Sequence, residues 1–273
     1  MAQYLIVSDV DGTLAYDSTT ISTRTSQVIN QLLDAGHLFY LATGRMYALA
    51  AAMADQIGPR AEIISANGAA YEFSGQKTHH LLGAKALAAI EAAAAGNGLT
   101  AVYFTDMAVY YVTTPPPAIE QMLYSFAPKD VTIDVRQLPD ITALQTHSDE
   151  ITNGIIFSLS DPEALANTRE QLAAQALLHL SASDPTNIEL IPKHVDKANA
   201  ILELQAKTGI PKDRTIAFGD GLNDLGMLKA AGISVAMGNA VPEVKAVAKY
   251  VTETNKEDGL AQFLLRFFDK EES

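Results

Sequence analysis

The sequence predicts an α/β fold in which a parallel-sheet core is split by an inserted α/β unit. Short β-rich runs alternate with helical patterns toward both ends of the chain, which is how strand–helix–strand units of a parallel sheet read. The helical patterns stop on Gly or Pro, where those residues are favoured. The stretch from 83 to 190 instead offers paired strands around turns. A chain of 273 residues has room for two domains, at roughly 150 residues each.

Taken in order, Tyr4–Ser8 reads as a buried strand. Thr25–Ala35 reads as a helix with Val28, Ile29, Leu32 and Leu33 on one face, closed by Gly36. Leu38–Ala42 is the next strand, Met46–Ile57 a helix ended by Gly58-Pro59, and Glu62–Ser65 a third strand. Asn67-Gly68 has the composition of a hairpin turn into Ala69–Phe73. In the middle, Lys85–Ala95 is an Ala-rich helix, and Thr100–Phe104 with Val109–Val112 form a strand pair. A helix is expected at Ala118–Phe126, and strands at Val131–Val135, Gly154–Leu159 and Leu178–Ser181. Asp161 is placed to cap a helix at Pro162–Ala173. After the insertion come a helix at Lys197–Thr208, a strand at Thr215–Phe218 and a helix at Asp224–Ala231. A strand at Ile233–Ala236, a helix at Pro242–Ala248, a short strand at Tyr250–Val251 and a helix at Gly259–Phe268 complete the chain.

Composition narrows the function. Hydrophobic residues at 48% and charged residues at 19% describe a globular chain rather than a disordered one. The absence of Cys excludes disulfides, thiolate metal sites and a Cys nucleophile. The apolar run Tyr4–Val7 is too short for a signal-peptide core and lacks a basic leader, so a cytoplasmic location is expected. A net charge of −13 repels nucleic acid and anionic membranes, which makes both poor partners. The same field repels a phosphorylated metabolite, so such a substrate needs a local positive centre.

Three core strands end alike, an apolar run meeting small polar or acidic residues. They lead into Asp9-Val10-Asp11-Gly12-Thr13, Thr43-Gly44-Arg45 and Gly219-Asp220-Gly221-Leu222-Asn223-Asp224. Ligands of open parallel sheets bind beyond the carboxyl ends of the strands, so these segments are expected to share one crevice. Alone, Asp11-Gly12 reads as a turn with Asp9 as a cap. Joined by Asp220 and Asp224, it becomes a carboxylate cluster. Each pair at about 4 Å repels by up to about 4 kcal/mol at an effective dielectric near 20. A cation or a proton relieves that; if a cation, oxygen-only ligands suit a hard ion, best Mg²⁺. Thr43 offers a hydroxyl, Gly44 an approachable N–H, and Lys197 an ammonium for a phosphoryl group. Judged singly, Thr43 reads as a helix cap, Lys197 as a solvated lysine, and Arg45 as a solvent-facing first-turn residue.

These segments, with Lys197, resemble the four motifs of the haloacid dehalogenase superfamily. Their order and the large insertion resemble its Cof-type sugar-phosphatase branch, which carries a type IIB α/β cap; Ala236-Met237-Gly238-Asn239-Ala240 is also like that branch. One departure is Ala198, where the branch usually has Gly. The resemblance implies a Rossmann-like core at 1–82 and 191–273 and a cap at 83–190, with hinges near Leu82–Ala84 and Ile191–His194. It implies Asp9 as nucleophile and Asp11 as general acid and base. Mg²⁺ would be held by Asp9, the Asp11 carbonyl and Asp220, with Asp224 directly or through water. Thr43, Gly44, Lys197 and Asn223 would bind the substrate, and the Asn67-Gly68 turn would face it. The expected activity is Mg²⁺-dependent hydrolysis of a small phosphate monoester, a sugar phosphate in the first instance, with a nucleotide, a flavin precursor or pyridoxal phosphate as alternatives. A phosphomutase or phosphotransferase would use the same intermediate. A non-catalytic sugar-phosphate sensor should have lost Asp9, Asp11 or Asp220, and this chain keeps all three.

Other features carry less. His79-His80 lacks partners at metal-ligand spacing and reads as a surface pair. Tyr103, Tyr110 and Tyr111 read as strand packing before they read as pocket lining. No Walker or dinucleotide-binding glycine loop occurs.

Overall fold

A computed structural model of the chain describes residues 2–115, 117, 121 and 131–271. The first strands are β1 (Leu5–Asp9), β2 (Leu38–Ala42), β3 (Glu62–Ser65), β4 (Ala70–Phe73) and β5 (Gln76–His79). Next come β6 (Thr100–Phe104), β7 (Ala108–Tyr111), β8 (Asp134–Gln137), β9 (Asn153–Phe157), β10 (Leu178–Ser181) and β11 (Asn187–Pro192). The last are β12 (Thr215–Gly219), β13 (Ile233–Ala236) and β14 (Tyr250–Val251).

They form two sheets. The first has the order β14-β13-β12-β1-β2-β3-β4-β5, parallel from β14 to β3 and antiparallel at β4 and β5. Strand β1 is buried along its whole length because it lies between β12 and β2 with apolar layers on both faces. The chain leaves β1 toward β2 and β3 on one side and returns through β12, β13 and β14 on the other. The order therefore reverses between β1 and β12, which opens a crevice beyond their carboxyl ends.

The second sheet has the order β10-β11-β9-β6-β7-β8 and is antiparallel except for β7 beside β8. Its side chains alternate as a pleated sheet requires. Ala101, Tyr103, Ile156, Ile188 and Leu190 pack with helices Gly83–Gly96 and Pro162–Gln175. Val102, Val109 and Phe157 pack against Met46, Ala48 and Leu49 at helix Tyr47–Ala54 of the first sheet. The β6–β7 turn adds polar contacts: Asp106 receives Lys77 Nζ at 3.0 Å and lies 3.1 Å from His79 Nε2, and its carbonyl accepts from Ala48 N at 2.9 Å. The expected His79-His80 surface pair is thus tied to acids, His80 to Glu203 at 3.3 Å.

Most expected elements are present within a residue or two. Ser22 caps helix Thr23–Asp34, accepting from Thr25 N, and Asp161 caps Pro162–Gln175 as expected. Helix Tyr47–Ala54 is shorter than Met46–Ile57, ending before the Gly58-Pro59 turn. The strand expected at Val131–Val135 lies at Asp134–Gln137 instead. The helix expected at Ala118–Phe126 falls, Gln121 aside, outside the described residues. Strands β5 and β11 and the short helix Ile141–Gln145 had no counterpart in the sequence reading. Since β11 runs to Pro192, the first half of the Ile191–His194 hinge is hydrogen-bonded strand, leaving the turn around His194, at φ 64°, as the irregular part.

Candidate active site

The site grows from how β1 and β12 end. After Asp9 the backbone winds through Val10–Leu14 with Gly12 at φ 80°. A Cβ on Gly12 would lie 2.3 Å from Asp220 Oδ2, so only glycine lets the two strand ends approach this closely. Thr13 Oγ1 then donates to Asp220 Oδ1 at 2.9 Å, and Asn239 Nδ2 donates to the Gly12 carbonyl at 2.8 Å and to Asp220 Oδ2 at 3.3 Å.

Lys197 opens helix Lys197–Thr208, after Asp196 caps it by accepting from Asn199 N at 2.7 Å. Far from being solvated, Lys197 is 2% exposed. Its Nζ donates to Asp9 Oδ1 at 2.5 Å and to Asp224 Oδ1 at 2.8 Å. The other Asp224 oxygen accepts from the backbone N–H of Asp220 at 3.0 Å and of Gly221 at 3.1 Å. Both oxygens of Asp224 are thereby engaged, and this carboxylate organises the loop that carries Asp220.

Asp9, Asp220 and Asp224 each bring an oxygen within 4.8 Å of the others. When all three ionise, Lys197 balances one charge and two remain. Burial, with the Asp224 charge added, holds the Asp9 carboxyl well above the usual carboxylate range despite Lys197. Burial pushes Asp220 up to about 6, opposed by the Thr13 hydrogen bond and reinforced by Asp224. Burial opposes the Lys197 ammonium, but Asp224 and Asp9 outweigh it and hold the lysine charged. A buried, oxygen-only set short of two positive charges fits a hard divalent cation.

Asp11 stands apart. Its side chain is 48% exposed and paired with Arg45, which donates through Nε to Oδ2 at 3.0 Å and through Nη2 to Oδ1 at 2.5 Å. The same Nη2 reaches the Ser18 carbonyl at 2.6 Å. The expectation of a solvent-facing Arg45 is therefore corrected: its side chain is only 6% exposed, because the fork finds a carboxylate and a carbonyl across the crevice. The fourfold carboxylate cluster of the sequence reading is likewise a cluster of three, with Asp11 beside it.

Above these groups lies a cavity of about 300 Å³ between the two sheets. Asp9, Asp11, Thr43, Gly44, Asp220 and Asn223 line it as expected, while Lys197 and Asp224 lie beneath, bonded to each other. Thr43 is buried and accepts from Arg45 N at 3.2 Å. Asn67, on three successive positive-φ residues, is held to this loop by its N–H to the Thr43 carbonyl at 2.9 Å, and it too lines the cavity. The second sheet contributes Phe104, Asn153, Ile155, Phe157 and Glu189 to the wall. Tyr103, Tyr110 and Tyr111 are not in it; Tyr103 bonds Glu91 at 2.7 Å and Tyr110 bonds Glu150 at 3.1 Å.

The family of haloacid dehalogenase-like hydrolases matches residues 6–264. The chain belongs to this family. Its relatives include the Bacillus subtilis 5-amino-6-(5-phospho-D-ribitylamino)uracil phosphatase YitU, 31% identical over 97% of both chains. A second B. subtilis phosphatase of the same description, YcsE, is 29% identical over 94% of this chain and 93% of its own. Among solved structures, a haloacid dehalogenase-like hydrolase from Bacteroides thetaiotaomicron superposes with a TM-score of 0.84 at 28% identity, covering 97% of this chain and all of that one. The subclass IIB sugar phosphatase BT4131 shares the fold, with a TM-score of 0.78 at 23% identity over 97% of this chain and 99% of its own. Family and fold together make the chain a haloacid dehalogenase-like hydrolase.

Arg45, Thr13, Asn239, Asn153 and Glu189 are site residues that the sequence reading did not select. Arg45 and Thr13 adjoin the recognised motifs, and Asn239 sits in the Met237-Gly238-Asn239 segment already noted. Glu189 had a signal of its own, a lone acid inside the apolar run Ile188–Ile191.

Proposed function

We propose that this chain is a Mg²⁺-dependent phosphatase for small phosphate monoesters that works through an aspartyl-phosphate on Asp9. The convergence of Asp9, Lys197, Asp224 and Asp220 beneath one cavity carries this reading. Asp9 and Asp220 would hold the ion together with the Asp11 carbonyl, and Asp224 would fix their loop. When bound, Mg²⁺ draws charge from the phosphoryl oxygens.

Asp9 attacks phosphorus in line with the ester oxygen; the Asp9 Oδ–P bond forms as the P–O bond to the leaving group breaks. Lys197 aligns Asp9, and Thr43 with the Gly44 N–H holds the phosphoryl oxygens. Asp11 gives a proton to the departing oxygen, then takes one from the water that cleaves the acyl phosphate. Because Arg45 engages both Asp11 oxygens, Asp11 must release one of these bonds to meet the ester oxygen. Asn223 orients the phosphate from the cavity wall.

The substrate we propose is a sugar or polyol phosphate. The likeness to YitU favours an ester of a ribityl chain, as in 5-amino-6-(5-phospho-D-ribitylamino)uracil. No helix among the described residues is long and apolar enough to cross a membrane. The test is inorganic phosphate release from a panel of monoesters, with and without Mg²⁺, for the parent chain and Asp9→Asn. Release that persists in Asp9→Asn, or that ignores Mg²⁺, defeats the proposal; transfer to an added alcohol without phosphate release points to a phosphotransferase.

A further inference from the structure

One acid in the cavity has no part in that chemistry. Glu189 lies in the middle of β11, and the alternation that sends Ile188 and Leu190 to the helices turns it toward the first sheet. Its cross-strand neighbours are Ile155 and Ser181, and Phe104, Phe157 and Asn153 share the same wall. Its neighbours on this face are apolar or neutral, and at 8% exposure the carboxylate is largely cut off from water.

Buried carboxylates ordinarily meet a cation or several donors. Among the described residues, the hydrogen bond Glu189 receives is from the neutral Asn67 Nδ2, 3.1 Å from Oε2. Asn67 is itself 4% exposed, and its Oδ1 is buried with no hydrogen-bond partner among the described residues. These oxygens converge on one place. A Cβ built on Gly44 would lie 3.3 Å from Asn67 Oδ1 and 3.4 Å from Glu189 Oε1, with Asn67 Nδ2, already given to Glu189, at 3.1 Å. Two under-supplied acceptors thus stand over the loop assigned to the phosphoryl group.

Acceptors repel phosphoryl oxygens, so their complement is a donor on the leaving group close to the ester. We infer that Glu189, with Asn67 Oδ1, binds a hydroxyl hydrogen of the leaving group near the ester oxygen, selecting polyol phosphates over alkyl phosphates and over esters bearing a second anion. This rests on the phosphatase reading of the site. A hydroxyl satisfies the acceptors, an alkyl chain leaves them bare in a desolvated pocket, and a carboxylate meets them with like charge.

The rival explanation is that the Asn67–Glu189 bond merely ties the two sheets together, and binding to catalytically dead protein separates the two. In the Asp9→Asn chain with Mg²⁺, calorimetry gives Kd for ribitol 5-phosphate and n-pentyl phosphate. Adding Glu189→Ala should shift the ratio of the two constants against ribitol 5-phosphate by about tenfold or more. A parallel loss for both ligands, leaving the ratio unchanged, overturns the inference in favour of the sheet tie. Glu189→Gln guards against misfolding of the alanine variant, since it keeps the volume and one acceptor while removing the charge. It should improve binding of 3-phosphoglycerate relative to ribitol 5-phosphate by severalfold, and no relative gain overturns the inference equally. Failure of the phosphatase reading registers separately, as absent turnover in the unmodified chain, because the binding ratio needs no chemistry.

Discussion

The two sheets present polar side chains to the cavity in opposite ways. The first places them beyond its strand ends, where the backbone has left the ladder and can itself donate. Asp224 there collects two main-chain N–H groups, and Asp9 collects a lysine. The second sheet places Asn153 and Glu189 on strand faces, where the main-chain groups are committed to pairing β9 with β6 and β11. Side chains on such a face can reach only other side chains or a ligand. Charge at the strand ends is met in part from within, by one lysine and two main-chain N–H groups, and the remainder is left for a cation; the acceptors on the strand face are left for a ligand.

The largest effect expected from testing this contrast is in Asp9→Asn. It should lower phosphate release by about 10⁴-fold or more while the thermal unfolding midpoint stays near that of the parent, because Lys197 keeps Asp224 as a partner. Next is Lys197→Met, which leaves Asp9 and Asp224 buried without their cation. It should cost about 3–5 kcal/mol in denaturant unfolding without metal. A loss below about 1 kcal/mol would show that the strand-end charges do not depend on one another.

Gly68→Ala probes the join between the sheets. At φ +96° its new Cβ would lie 2.2 Å from the Asp196 carbonyl, so about 2 kcal/mol of stability should be lost. Activity should fall with it, since Asn67 and Lys197 flank the clash.

The pH dependence follows from Asp220, whose carboxyl titrates near 6 in the folded chain and near 4 when unfolded. The folded state holds that proton more tightly. The resulting stability is complete below about pH 4 and is lost as pH rises through about 6. Mg²⁺ binds the ionised form, so it should raise the unfolding midpoint more at about pH 7.5 than at about pH 5. Equal shifts at both pH values speak against Asp220 as a ligand. The smallest effect belongs to the far face of the second sheet. Tyr103→Phe removes the bond to Glu91 and should cost about 1 kcal/mol of stability. Substrate KM should not move, because Glu91 lies on helix Gly83–Gly96, away from the cavity.

The same contrast accounts for what could be read in advance. Asp9, Asp11, Thr43 and Asp220 stood out because an apolar strand that breaks into acids and glycines is visible in a single line of residues. The bounds of β2, β3, β6 and β10 followed from β-rich runs with clean ends. Strand β11 escaped because Glu189 interrupts its apolar run and Pro192 suggested a linker, although the ladder accommodates both. Strand β5, Gln76-Lys77-Thr78-His79, escaped because an exposed edge needs no apolar face. Arg45 was misjudged for a different reason. Its burial depends on Asp11, a contact that only the folded crevice creates.

Glu189 and Lys197 belong to one uninterrupted stretch, from β11 through the His194 turn into the helix that Asp196 caps. Gly68, adjoining Asn67, leaves no room for a side chain against that stretch at the Asp196 carbonyl. Under the proposed mechanism, a guest that displaced β11 would act on the same stretch of polypeptide that carries Lys197, the partner of Asp9. Substitutions on β11 that alter which ligand is preferred should then alter turnover as well.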